Sequence, residues 1–193
     1  MTKTVLKLGG SLMHSKELIF WLKNIFSQTN NSTCIVVPGG GKFAENIRKM
    51  QKEFKFSDEV AHKMALLSMK QYAFFLKGLH NNIKIIKDVK KIEENNNSYL
   101  WSPDYLLEND ELIPQNWYFT SDSIALWLAI HIEADKLIMI KSKKIIFDQS
   151  NINDHINKKD FDKGFNELLV RYKGDLIFLV KKLMNYLCPI LLM

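Results

Sequence analysis

The sequence predicts an α/β fold, a mainly parallel sheet covered on both faces by helices, and three observations predict it. Short apolar runs alternate along the chain with segments of helical periodicity. One such run, TCIVV at 33–37, is almost unbroken in its apolar character, as a strand buried on both faces requires. Glycine clusters, Gly9-Gly10 and Gly39-Gly40-Gly41, stand where two of these runs give way to helices. In an open α/β sheet, ligands collect at those strand ends.

Taken in order, residues 3–8 are expected as a strand and 15–27 as a helix with Leu18, Leu22 and Ile25 at helical spacing. The strand at 33–37 ends at Pro38 and the three glycines. A second helix follows, in which Phe43, Ile47, Met50 and Phe54 recur at intervals of four, three and four. Ser57 is placed to cap a third helix reaching about residue 79. That helix is apolar on two sides, so it suits packing on more than the sheet, including a dimer surface. A strand at 83–86, a polar turn in EENNN at 93–97, and a strand, turn and short helix carry the chain to Pro114. Then come a helix over 120–132, a strand over 136–140 and a short strand or hairpin arm over 144–147. QSNINDHINKK at 149–159 lacks apolar periodicity and reads as a mobile surface loop. A helix over 160–172, a strand over 175–180 and a last helix over 181–187 complete the pattern, with no internal repeat and no linker.

The 193 residues suit one domain, and 47% hydrophobic content is enough for a real core. The net charge of +6 is spread over scattered lysines. That distribution argues against a nucleic-acid partner and suits an anionic small substrate. Cys34 and Cys188 lack the spacing of metal ligands or of a disulfide framework, which points to a reducing, cytoplasmic setting. No stretch approaches the roughly 20 apolar residues of a membrane span, and Gly9 and Gly10 interrupt the start too early for a secretory core.

Lys7 sits inside an apolar strand immediately ahead of Gly9, Gly10 and Ser11. Glycines let an anion approach the backbone, and a helix N-terminus after each cluster favours one. A Walker loop is excluded, because Val36 and Phe43 occupy its glycine and hydroxyl positions. Gly39-x-Gly41-x-x-Ala44 matches the loose dinucleotide fingerprint, but its acid, Asp58, begins a helix where it should end a strand. Thr120, Ser121 and Asp122 open a helix, where capping alone would account for them. A buried lysine needs an anionic partner, however, and Asp122 is the candidate for Lys7.

This ordered set resembles the amino acid kinase family, which includes acetylglutamate, aspartate, carbamate and uridylate kinases. The resembling pieces are KLGGS at 7–11, VVPGGGKFA leading to 44, SDEVAHKMALLSM at 57–69, TSDSIA at 120–125 and LIMIKSKKIIFD at 137–148. The resemblance implies a three-layer αβα sandwich in one domain, 1–193, with an acceptor-side portion over about 1–115 and a nucleotide-side portion over about 116–193. It also implies phosphoryl transfer from ATP with Mg2+, and a homodimer or higher homo-oligomer. Lys7 would neutralise the transferring group, while Gly9, Gly10 and Ser11 bind its oxygens. Gly39, Gly40 and Gly41 would cradle the acceptor end, and Asp122 would orient the lysine network. Such a division suits phosphoryl transfer, where positioning and charge neutralisation dominate.

Within the family, the SD-x-x-AH-x-MA and W-x-x-TSDS runs resemble small kinases acting on aminomethylfuran-methyl phosphate in methanofuran-type cofactor synthesis. Asp58, His62, Thr120 and Ser121 would then bind the acceptor, Asp58 and His62 sharing one helical face. Uridylate kinases usually carry an aspartate where His62 stands, which makes UMP the less comfortable acceptor. The nucleotide hairpin departs from the family, with Lys141 at a usual threonine and Ile145 at a usual glycine, although Phe147 and Asp148 fit. The usual Gly-Thr near the C-terminus is missing. Lys141, Ser142 and Lys143 either replace nucleotide contacts or form a solvated basic turn. No residue is expected to be a protein ligand to metal. The alternatives are a uridylate or amino-acid carboxylate kinase, and a non-catalytic nucleotide- or phosphometabolite-binding protein of the same fold.

Overall fold

The alternating pattern closes into one six-stranded sheet in the computed structural model, which describes residues 2–26, 32–92, 97–108, 112–146 and 160–182. The strands are β1 (Thr2–Leu8), β2 (Ser32–Pro38), β3 (Lys84–Ile86), β4 (Ser98–Trp101), β5 (Lys136–Lys141) and β6 (Asp175–Val180). Their spatial order is β3-β4-β2-β1-β5-β6, and every pairing is parallel. Among the described residues the α-helices are α1 (Glu17–Phe26), α2 (Gly41–Phe54), α3 (Asp58–Leu79), α4 (Tyr105–Glu108), α5 (Ser121–His131) and α6 (Lys163–Leu169).

Side-chain alternation along the central strands sorts the core into two layers. Val5, Ile35, Val37, Leu137 and Met139 pack with Ile124, Ala125 and Leu128 of α5 and Phe165 of α6. The intervening residues Leu6, Leu8, Cys34, Val36, Ile138 and Ile140 pack with Leu18, Trp21, Leu22 and Ile25 of α1. Each Val, Leu, Ile, Met or Phe among them contributes about 1.5–3 kcal/mol on burial, so the layers fix the register by weight of burial. Helix α3 joins both, giving Leu66 and Met69 to the first and Tyr72, Ala73 and Leu76 to the second. Ser57 caps it as expected, its hydroxyl accepting from the Val60 amide at 3.3 Å. Cys34 is a free thiol, pushed up to about 12 by burial and so unreactive.

Register places Lys7 beside Val37 and Met139, at the carboxyl end of the sheet. There the two glycine loops touch backbone to backbone. A Cβ added at Gly10 would lie 2.3 Å from the Gly41 nitrogen, and one at Gly39 would lie 2.5 Å from the Gly10 nitrogen. Gly41 has φ of +53°, a left-handed conformation that disfavours a side chain.

Three expectations change. Residues 144–146 carry no strand. Helix α6 is shorter than 160–172, because Asp162 caps it and the Asp160 carbonyl is taken by Lys141. Lys181 and Lys182 form a turn, and the remainder of the expected last helix lies outside the described residues. As expected, Asp58 opens α3 and ends no strand, which removes the dinucleotide alternative. The loop at 149–159, the turn at 93–96, Cys188, Phe147 and Asp148 also lie outside the described residues.

Gly10→Ala is expected to lower stability in a denaturant titration by several kcal/mol, roughly 3 or more, since backbone must move. Gly78→Ala in α3, with open space around it, is expected to gain about 0.5–1 kcal/mol from helix propensity.

Candidate active site

Parity that sorts the core also builds the site. Lys7 on β1 and Lys141 on β5 both follow the alternation of Val5, Leu137 and Met139, so both face the first turn of α5. Asp122 stands there, between them. Lys7 Nζ lies 2.8 Å from Asp122 Oδ1, and Lys141 Nζ donates to Asp122 Oδ2 at 2.6 Å. The three side chains are 8%, 12% and 12% exposed for Lys7, Lys141 and Asp122, so the ion triad is nearly dry. Burial alone would raise the Asp122 carboxyl, but the two ammonium groups outweigh it and hold it at about 2. Burial depresses Lys141, which Asp122 counters and Lys7 reinforces. The triad carries one positive charge in excess.

That excess sits against the glycine loops. A Cβ at Gly9 would stand 3.5 Å from both Lys7 Nζ and Ser11 Oγ, so ammonium, hydroxyl and bare backbone share one small space. Backbone N–H groups freed by glycine, with a lysine beside them, suit the oxygens of a phosphate.

Asp122 is free for the lysines because capping is done elsewhere. Thr120 stands at the N-cap of α5, but its hydroxyl makes no cap bond and donates to Asp162 at 2.5 Å. Asp162 also accepts from the Thr120 amide at 2.8 Å and from the Ser123 hydroxyl, and caps its own helix by accepting from the Phe165 amide at 3.0 Å. One carboxylate thus ties the starts of α5 and α6 together. Capping therefore does not account for the Thr120-Ser121-Asp122 run. Asp162 falls inside the helix expected over 160–172, and its signal in the sequence is an acid followed by Gly164 and an apolar run.

Thr120 and Ser121 line a cavity of about 120 Å³ together with Gly40 of the second glycine loop and His62 of α3. His62 is buried, its Nδ1 lying 3.2 Å from the Asn116 carbonyl oxygen, and burial lowers its pKa. Arg48 of α2 closes the rim, stacked 3.6 Å over the Trp117 ring, a pairing that no sequence spacing signalled. Asp58 is elsewhere. It accepts from Gln51 Nε2 at 2.7 Å and lines a neighbouring hollow beyond the Arg48–Trp117 stack, so it shares no cavity with His62.

On the expected nucleotide side, Lys141 belongs to the buried triad and to no solvated turn; it also donates to the Asp160 carbonyl at 2.7 Å. Ser142 and Lys143 are exposed, and Lys143 pairs with Asp160. Among the described residues, no group of three His, Cys, Asp or Glu side chains could hold a metal by itself. No helix among them is long and apolar enough to cross a membrane.

Residues 2–163 match the model of the amino acid kinase family. The chain belongs to the amino acid kinase family. Over 185 residues it is 28% identical to [5-(aminomethyl)furan-3-yl]methyl phosphate kinase of Methanocaldococcus jannaschii, covering 88% of this chain and 83% of that protein. Its fold is similar to uridylate kinase from Archaeoglobus fulgidus, with a TM-score of 0.69, 19% identity and coverage of 93% and 91% of the two chains. It is also similar to UMP kinase from Ureaplasma parvum, with a TM-score of 0.64, 16% identity and coverage of 93% and 89%. This member of the family is therefore a phosphotransferase by family and a parallel α/β protein by fold.

Asp122→Asn is expected to cost about 3–5 kcal/mol at pH 7 in a denaturant titration, because it leaves two buried ammonium groups unpaired. The Asp122 carboxyl is held below its unfolded value of 3.8. Its contribution is therefore full above about pH 4 and lost as the pH falls towards 2, and the variant should lack that acid limb.

Proposed function

We propose that the protein transfers the γ-phosphoryl group of ATP to a small phosphomonoester, with aminomethylfuran-methyl phosphate as the acceptor. The observation that carries this reading is the Lys7–Asp122–Lys141 triad, net positive and dry, set against two glycine loops at the carboxyl ends of β1, β2 and β5. A transferring phosphoryl group gathers negative charge on its oxygens, and a preorganised pair of ammonium groups stabilises that charge without reorganising. Lys7 and Lys141 supply the charge. Asp122 pairs with both ammonium groups and aims them, and takes no proton itself, since its carboxyl lies far below neutrality.

Gly9, Gly10 and Ser11 receive the donor phosphate, and Gly39, Gly40 and Gly41 the acceptor's. Thr120, Ser121 and His62 line the place for the acceptor body, with Asp58 outside it in the adjoining hollow. Ser142, Lys143, Phe147 and Asp148 are assigned to the nucleotide side. Magnesium fits as a companion of the nucleotide phosphates, since it is commonly held by those with few protein ligands. When bound, it would neutralise charge on those phosphates.

Two supports narrow the acceptor. The relative at 28% identity is named for aminomethylfuran-methyl phosphate. The cavity of about 120 Å³ also suits one small ring, as a cavity of about 150 Å³ holds benzene, and a ribose with a base needs more. The second reading, a uridylate kinase, draws on the fold similarity alone.

Coupled ADP detection over a panel of aminomethylfuran-methyl phosphate, UMP and amino-acid carboxylates tests the acceptor; turnover of UMP above the furan compound would replace it. Lys7→Met is expected to lower ADP formation at least about 100-fold while the melting temperature stays within a few degrees, because Asp122 keeps Lys141 as a partner. Unchanged turnover would remove Lys7 from the chemistry.

A further inference from the structure

His62 is 3% exposed and lines the acceptor cavity. Its Nδ1 faces the Asn116 carbonyl oxygen, which also accepts from the Phe119 amide at 3.2 Å. A carbonyl only accepts, so the ring proton lies on Nδ1 and Nε2 is left with a bare lone pair. Nε2 is buried and no described group donates to it. An unpaired buried acceptor costs about 1–3 kcal/mol, a cost that a ligand donor would remove. Burial keeps the ring neutral near pH 7, which preserves that lone pair.

The rest of the lining sets the orientation. Gly40, Thr120 and Ser121 bring the polar, phosphate-facing edge, whereas Ala65, Leu66 and Met69 of α3 supply apolar wall around His62. Arg48 at the rim has donors and no acceptor. A ligand whose phosphate rests on the glycine loop therefore meets His62 with its opposite end.

We propose that His62 Nε2 accepts a hydrogen bond from an N–H of the acceptor substrate, at the end remote from its phosphate, so that the site selects phosphomonoesters bearing a primary amine there. The inference rests on the phosphomonoester kinase reading, and it adds a specificity-determining residue whose tautomer is set by Asn116. The ligand rides against a neutral imidazole, so the selection comes from pairing the lone pair and not from a counter-charge.

The test compares aminomethylfuran-methyl phosphate with the analogue carrying methyl in place of aminomethyl. Calorimetric titration of the wild type, His62→Leu and His62→Gln gives Kd for each compound. The wild type is expected to bind the amine at least about 10-fold more tightly. His62→Leu should abolish the difference, and His62→Gln, which retains an acceptor oxygen, should keep part of it. Equal binding by the wild type, a difference that survives in His62→Leu, or binding of neither compound overturns the proposal. ADP release measured alongside separates it from the kinase reading. Equal turnover of both compounds leaves the kinase and removes the role of His62; amine-selective binding without ADP release does the reverse. Should His62→Leu fail to fold, the wild-type Nε2 nitrogen-15 resonance decides, moving with the amine and not with the analogue if the bond forms.

Discussion

One carboxylate shared by two buried lysines is the constraint around which the sheet end is arranged. Asp122 can bridge Lys7 and Lys141 because β1 and β5 are parallel neighbours in a register that places Lys7 opposite Met139. A slip of one residue on either strand would turn its lysine to the α1 face, among Leu18, Trp21 and Leu22. Desolvating three charges is expensive, and removing the shared carboxylate strands both lysines. On the proposed reading, the triad's excess positive charge meets the phosphate of a ligand at the glycine loops.

Supporting contacts follow from the same requirement. A helix that begins with Thr-Ser-Asp ordinarily uses those side chains as caps. In this chain Asp162 takes over, binding the Thr120 amide and hydroxyl and the Phe165 amide, so that Asp122 can turn to the lysines. Burial and the nearby Asp122 charge raise the Asp162 carboxyl, while its hydrogen bonds to Ser123 and Thr120 pull the other way. The same helix start brings Thr120 to the cavity lined by His62. The ion triad and the cavity lined by His62 are thus held by one helix start.

Much of this was legible in the sequence because it follows from local chemistry. A lysine inside an apolar strand demanded an anion, and the Thr-Ser-Asp run offered one far along the chain. Two glycine clusters at strand ends required close backbone approach, which Gly10 and Gly41 display. Lys141 was harder, since alignment on the family hairpin placed it among nucleotide contacts. Its parity with Leu137 and Met139 carried the signal that it faces α5. Asp162 was hidden by reading a helix through it, and the Arg48–Trp117 stack joins α2 to the loop before α5, a contact that depends on tertiary packing. His62 was placed on the right helix, but its separation from Asp58 by that stack could not be read from their spacing.

The central claim is that the triad and the glycine loops receive the terminal phosphate of ATP. A crystal structure with a non-hydrolysable ATP analogue and magnesium tests it most directly. The account predicts the terminal phosphate against Gly9 and Gly10, with Lys7 Nζ and Lys141 Nζ within about 3 Å of its oxygens and Asp122 still touching both lysines. A nucleotide bound with its terminal phosphate away from both lysines would contradict it.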